Sequence, residues 1–246
     1  MASEVKQVTP YGEEKETKKG QVTRMFDKIA PYYDFLNHFL SLGIDVLWRK
    51  KAIKTLLPYQ PKQILDIATG TADLAIEAAK KLKPDHITGM DISAQMIKVG
   101  DEKIIKKGLQ DIINLELGDS ENLKYKDASF DAITAAFGVR NFENLEIGLT
   151  EMFRVLKPEG RLCILEFSKP TVFPLKQVFN TYFKYLLPVI GKIKSKDAKA
   201  YKYLYESVQA FPDYQSFTAI LDRIGYKDTQ WQALSFGICT IYSATK

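Results

Sequence analysis

Three short segments carry the residue types that hold a nucleoside. Asp66-Ile67-Ala68-Thr69-Gly70-Thr71-Ala72-Asp73 leads from an apolar run into an amphipathic one. A turn of small residues there lets the backbone approach a ligand, while the following helix aims its first N–H groups at it. With one glycine rather than the three of a G-x-G-x-x-G turn, the segment also reads as a plain strand-to-helix connection. Asp91, at the end of the next apolar run, stands where a carboxylate accepts both ribose hydroxyls, its competing role being to cap a helix starting near Ser93. Gly118-Asp119-Ser120-Glu121-Asn122-Leu123 follows a third run, and an Asp and a Ser at a strand end can bond an adenine amine and ring nitrogen. The chain has no G-x-x-x-x-G-K-[ST] phosphate cradle and the first turn has no lysine, so the expected nucleoside is cationic or neutral, not a polyphosphate.

Residue periodicity supplies the elements that would position these stations. Short apolar runs at 63–68, 86–91, 113–117, 130–137 and 161–167 read as buried strands, and amphipathic stretches at 72–82, 94–107 and 143–156 as helices between them. Strands joined by full helical crossovers imply a parallel sheet covered on both faces. The tail adds a helix at 214–224 and strands at 229–234 and 239–244, joined too closely for a parallel crossover, so the sheet should end in an antiparallel pair. Two regions break the rhythm. Residues 23–57 read as two or three helices and residues 171–211 as a long insertion, and both are candidate lids over the carboxyl ends of the strands. Residues 1–22 read as a loosely ordered polar arm and residues 23–246 as one domain.

At 246 residues, 46% hydrophobic and with average glycine and proline content, the chain is long enough for a substantial core and unlike collagen or a disordered chain. Its net charge of +5 is small for a nucleic-acid binder, but seven lysines against the single acid Asp197 crowd into residues 172–202. Phe173, Leu175, Val178, Phe179, Tyr182, Phe183, Tyr185, Leu186 and Leu187 interleave with or precede those lysines, a pattern that suits an anionic bilayer surface or, equally, a core helix followed by a solvated loop. No apolar run is long enough to span a membrane, and the N-terminal residues lack a signal-peptide core. Cys163 and Cys239 sit in apolar runs and are expected as reduced core thiols, and with only His38 and His86 no metal-ligand spacing exists.

The segments ILDIATGTAD, MDIS, GDSENL and RVLKPEGRL resemble the successive motifs of seven-stranded S-adenosylmethionine-dependent methyltransferases. More narrowly, YYDFLNHFLSLGIDVLWRK, AAFGVRNF, RVLKPEGRLCILEFSKP and YKYLYESVQAFPDYQSF resemble the demethylmenaquinone/ubiquinone-biosynthesis C-methyltransferase family, from about Arg24 to Lys246. The resemblance implies an α/β fold, a mostly parallel doubly wound Rossmann-like sheet of seven strands with helical lids, and S-adenosyl-L-methionine as cofactor. It implies cofactor contacts from Gly70, Thr71, Asp91, Asp119 and Ser120. The chain departs from the family at Thr69 and Ala72, where glycines are usual, and at Ala136, where a serine is common.

The implied reaction is C-methylation of a polyprenyl quinol, demethylmenaquinol to menaquinol, with the benzoquinol step of ubiquinone biosynthesis also within the family's range. Such chemistry asks for positioning and stabilisation of a developing phenolate. Arg140 and Asn141, directly after the fourth strand, are the expected catalytic groups: the guanidinium would hold the phenolate and Asn141 would orient the hydroxyl or a water. Arg140 could instead pair with an acid such as Glu143. Tyr33, with Asp34, is a second candidate for substrate contact, whereas His38 and His86 are expected to be structural. The N-terminal composition is that expected of a soluble cytoplasmic protein, and the prenyl tail implies that the enzyme meets either a membrane, peripherally at its inner face, or a hydrophobic carrier; a homodimer is compatible with the sequence, which does not determine the assembly.

Rival readings are a sterol or amine methyltransferase on the same scaffold and a noncatalytic nucleoside-binding scaffold subunit. An RNA methyltransferase would place an Asn/Asp-Pro-Pro-aromatic motif after the fourth strand, and AAFGVRNF has no proline. A nicotinamide oxidoreductase is disfavoured by the first turn itself.

Overall fold

A computed structural model describes residues 7–41, 43–174, 176, 177, 181 and 198–246. Three helices, α1 (Lys18–Ile29), α2 (Tyr33–Leu40) and α3 (Ile44–Lys54), precede the sheet. Strand and helix then alternate through β1 (Gln63–Ile67), α4 (Asp73–Leu82), β2 (His86–Asp91), α5 (Ala94–Lys106), β3 (Ile113–Leu117), β4 (Phe130–Ala136), α6 (Leu145–Val155) and β5 (Leu156–Phe167). After the segment that is only partly described come α7 (Ala198–Ala210), α8 (Gln215–Ile224), β6 (Lys227–Leu234) and β7 (Cys239–Thr245).

The seven strands form one sheet in the order β3-β2-β1-β4-β5-β7-β6. β1 to β5 run parallel, and β7 is antiparallel to both β5 and β6, as the short connection required. The order reverses between β1 and β4, so the carboxyl ends of β2, β1 and β4 flank the switch point where such sheets bind ligands. Alternate residues feed two cores because strand side chains point to opposite faces. Leu65, Ile67, Ile133, Leu162 and Ile164 pack under α6 and α8 with Leu149, Met152 and Phe217. Ile64, Ala132, Cys163 and Leu165 pack on the other side with Trp48, Ile53, Leu74, Ile76 and Ile87. Both cysteines are free and buried, and burial pushes the Cys163 thiol up to about 11, which fits an inert core thiol.

Two boundaries differ from the sequence expectation. β5 begins at Leu156, not Arg161, because Leu156 already pairs with Phe130 before a register shift at 130–132 accommodates the Lys-Pro-Glu-Gly turn. The expected arm of residues 1–22 is not a loose arm where it is described. Thr17 caps α1 by accepting from Gly20 N, and Lys18, Gln21 and Val22 are buried, so the helix begins inside the stretch assigned to the arm. Gln21 anchors the chain before it, donating from Nε2 to the carbonyls of Glu13 and Glu16. Of the insertion at 171–211, residues 175, 178–180 and 182–197 lie outside the described residues, and with them most of the basic aromatic segment; its carboxyl end is α7.

Ile133, completely buried at the centre of the sheet, is expected to set the stability of the whole unit. Ile133→Ala should lower the unfolding free energy by about 2–5 kcal/mol in urea titration.

Candidate functional site

The turn after β1 is held by hydroxyls on a buried carboxylate. Thr69 Oγ1 donates to Asp66 Oδ2 and Thr134 Oγ1 donates to Asp66 Oδ1, each at 2.6 Å, so one acid ties the turn to β4. Burial pushes Asp66 up to about 6, opposed by the two hydroxyls. The turn winds through left-handed backbone at Ala68 (φ 51°), Gly70 (φ 55°) and Ala72 (φ 65°). Two of these three carry a Cβ, a strain of order 1–2 kcal/mol each. Ala72 therefore keeps the glycine-like conformation at one of the positions where the sequence departs from the family, whereas Thr69 has become a side-chain anchor. Gly138 answers the same turn from β4: a Cβ there would lie 2.4 Å from that of Ala68.

Asp91 closes the turn from β2. Its Oδ2 accepts from Gly70 N at 2.8 Å and its Oδ1 from Ser93 N at 2.9 Å. The helix cap is Ser93, whose Oγ accepts from Met96 N, so the capping role weighed for Asp91 belongs to its neighbour. Each Asp91 oxygen takes one backbone hydrogen and retains a lone pair for a ligand hydroxyl.

These elements surround a cleft open to solvent. Gly70, Asp91, Asp119, Ser120, Asn141 and Tyr33 all line it, together with Met90, Ile92, Met96 and Phe142, whose apolar surfaces suit an adenine ring. Thr71 does not line it. It lies by a smaller adjoining cavity, and its hydroxyl is taken by Asp34 and by Lys103, whose Nζ also donates to Asp34 Oδ2 at 2.7 Å and to Asp73. Asp34 thus ties α2 to the βα framework. α1 brings residues to the cleft wall and its surroundings that the sequence reading missed. Lys19 of α1 pairs with Asp119 at 2.7 Å. Lys18 Nζ donates to the carbonyls of Arg140 (3.2 Å) and Phe142 (2.6 Å), bonding α1 to the turn after β4, and burial lowers its pKa to about 8. Asp27 of α1 accepts from Ser93 Oγ and Gln95 N. A lysine-rich helix start reads as solvated surface in sequence, so nothing marked these contacts in advance.

Arg140 has an acidic partner, but it is not Glu143. Its Nη1 donates to Glu166 Oε1 at 2.8 Å and to the Phe137 carbonyl, and its backbone N–H reaches Glu166 Oε2 at 3.3 Å. Glu166 is fully buried on β5; burial raises its pKa and the guanidinium counteracts that rise. A carboxylate inside the apolar strand CILEF was the available sequence signal for this partner. Asn141, 6% exposed, donates weakly to the Phe137 carbonyl, and its Oδ1 has no hydrogen-bond partner among the described residues. Tyr33 lies edge-on to Phe26 over Gly70, and burial raises its pKa. His38 pairs with Asp45 away from the cleft, and His86 opens β2 at its opposite end.

The donor set fits S-adenosylmethionine: Asp91 would take the ribose hydroxyls and the Gly70 turn would face the amino-acid end. Burial pushes the Asp91 carboxyl up to about 6, its backbone hydrogen bonds lower it and the charge of Asp27 raises it. Ribose hydroxyls need the ionised form, so cofactor affinity measured by calorimetry should weaken as the pH falls through about 6, approaching tenfold per pH unit. Asp91→Asn should weaken binding about 10–100-fold at neutral pH and flatten that dependence.

Comparison with known proteins agrees with this architecture. Residues 13–246 match the family model described as the ubiE/COQ5 methyltransferase family. A demethylmenaquinone methyltransferase of Bacteroides fragilis is 50% identical over 239 residues, 97% of each chain. A ubiquinone/menaquinone biosynthesis C-methyltransferase UbiE of Geotalea daltonii is 46% identical over 94% of this chain and 98% of its own. A solved SAM-dependent methyltransferase of Thermotoga maritima superposes with a TM-score of 0.63 at 19% identity, covering 91% of this chain and 99% of its own, which shows the shared fold. The chain belongs to the ubiE/COQ5 methyltransferase family.

Proposed function

We propose that this chain transfers a methyl group from S-adenosylmethionine to a ring carbon of a polyprenyl quinol, converting demethylmenaquinol to menaquinol. The carrying observation is the buried Arg140–Glu166 pair on the turn after β4, next to Asn141, which lines the nucleoside cleft. The names of the Bacteroides and Geotalea relatives support the naphthoquinol, and the latter supports the benzoquinol step of ubiquinone biosynthesis as a second reaction.

The bound cofactor supplies an electrophilic methyl on a sulfonium. Arg140 holds the ring oxygen as it becomes a phenolate, since a fixed cation at that atom favours the charged form. Glu166 fixes the guanidinium in place: two of its contacts come from Arg140, and its complete burial keeps water from competing. Asn141 Oδ1 accepts from the ring hydroxyl and orients it. Tyr33, with Phe26, closes the cleft over the ring and excludes water.

The prenyl tail requires a meeting with a lipid surface. No helix among the described residues is long and apolar enough to cross a membrane. Peripheral contact is supported by an exposed apolar rim near the end of β5. Phe236 is 77% exposed on a left-handed turn (φ 59°) whose neighbour Ser235 is held by Trp48 Nε1 at 2.9 Å. Leu47, adjacent to Trp48, is also exposed, as are Val172 and Phe173 beyond Pro170, which lies beside Gly237. Lys176, Lys199 and Lys202, also exposed, carry the described part of the basic segment.

Labelled methyl should pass from S-adenosylmethionine to chemically reduced demethylmenaquinone in detergent. Arg140→Ala should reduce kcat about 100-fold or more with cofactor binding retained, and Arg140→Lys should fall between. A wild type that labels neither naphthoquinol nor benzoquinol overturns the reading. Sedimentation with anionic vesicles should show salt-sensitive binding that Phe236→Ser weakens about tenfold, the worth of one buried aromatic side chain; unchanged binding would remove the rim from the membrane contact.

A further inference from the structure

The sheet and its crossover helices account for most buried groups, but α7 lies outside that alternation and still buries a large polar side chain. Tyr203 is 2% exposed, and its hydroxyl has no hydrogen-bond partner among the described residues. Its ring packs with Ala200 against Val22 and Met25 of α1. α7 also lies against the short Val139–Asn141 turn, which bears Arg140 and Asn141. A buried tyrosine hydroxyl usually finds a partner, because leaving it dry and unbonded forfeits its hydration.

The same condition recurs on the turn it faces. Arg140 Nε and Asn141 Oδ1 are likewise buried without a partner among the described residues, although Arg140 Nη1 is fully engaged with Glu166 and the Phe137 carbonyl. Two donors and one acceptor therefore stand on two elements in contact, α7 and the Val139–Asn141 turn, with Asn141 on the wall of the cleft and Val22, which packs with Tyr203, beside it. Folding gains nothing from three such atoms, and conversion to apolar groups would relieve the cost. A ligand carrying an ionisable ring oxygen satisfies them together: an oxyanion takes hydrogen bonds from the phenol and the guanidinium, and a hydroxyl donates to the amide oxygen.

We propose that Tyr203 is a substrate-binding residue whose phenol O–H donates, beside Arg140 Nε–H, to the ring oxygen that gains negative charge during transfer. This rests on the quinol reading and adds a contact to it. Burial raises the Tyr203 pKa and the Arg140 charge only partly offsets this, so the phenol remains a donor and does not give up its own proton. α7 would then contribute, beside α1, to the wall around the reacting ring.

Tyr203→Phe keeps the ring and removes the donor. An acidic hydroxynaphthoquinone, coloured as its anion, serves as an oxyanion probe that needs no turnover. The wild type should bind the anion and shift its visible band, whereas Tyr203→Phe should bind it about 10–100-fold more weakly, the range for a hydrogen bond to a charged group. kcat should fall by a similar factor, with calorimetric affinity for S-adenosylmethionine unchanged and a melting temperature no lower than that of the wild type, since an unsatisfied hydroxyl has been removed. Equal probe binding and equal kcat in the two proteins would overturn the proposal, as would a wild type that leaves the probe's band unshifted. Parallel loss of cofactor binding and melting temperature would also overturn it, because that pattern marks a packing residue. Failure of the quinol reading is distinguishable, since it shows in the wild-type labelling assay and not in the ratio of variant to wild type.

Discussion

The carboxyl end of this sheet is organised by two buried carboxylates that accept hydrogen bonds from the chain on both oxygens. Asp66 takes hydroxyl hydrogens from Thr69 and Thr134, fixing the first turn to β4. Asp91 takes backbone hydrogens from Gly70 and Ser93, fixing the same turn to β2 and setting the start of α5. Burial raises both pKa values, so charge is held there against its desolvation cost. The turn is strained at Ala68 and Ala72 as well, and a strained backbone persists only where its surroundings over-determine it. The two acids provide that restraint, and the result is a rigid floor for a cofactor.

A second polar layer lies above this floor. Lys18, Lys19 and Asp27 project from a single helix, α1, onto the turn after β4, the strand-three loop and the cap of α5. Lys103 gathers Asp34, Thr71 and Asp73 from α2, the first turn and α4. Charge-assisted hydrogen bonds thus join α1 and α2 to the framework, in addition to apolar packing of α1 and α3.

The Arg140–Glu166 pair follows a different logic. A buried ion pair adds little net stability compared with apolar packing, while loss of one partner strands the other at a cost of about 3–5 kcal/mol. Its value here is geometric. Glu166 reaches across from the adjacent strand to hold both the guanidinium and the backbone N–H of Arg140. Lys18 grips the carbonyl of the same residue from the opposite side. β5 and α1 therefore both hold this residue in place, the preorganisation that charge stabilisation in a transition state would use.

The order of strands and helices, the antiparallel finish and the strand-end stations at Asp91, Asp119 and Asn141 were all legible in the sequence. Period-two and period-3.6 patterns and turn residues are local, and a parallel sheet follows from crossover length alone. What the sequence left open were partners. It offered Glu143 to Arg140, but the tertiary fold supplied Glu166, because the parallel register of β4 and β5 places a buried acid beside the turn. It treated the residues before 23 as a loose arm, since lysines and glutamates look solvated until carbonyls and carboxylates converge on them from other parts of the fold. It gave the Thr71 hydroxyl no partner within the chain, and the fold supplied Lys103 and Asp34. Sequence by itself determined which chemistry could stand at each strand end; tertiary structure decided which charge meets which, because a side chain's partner depends on elements far away in the chain and a residue's own neighbours do not reveal them.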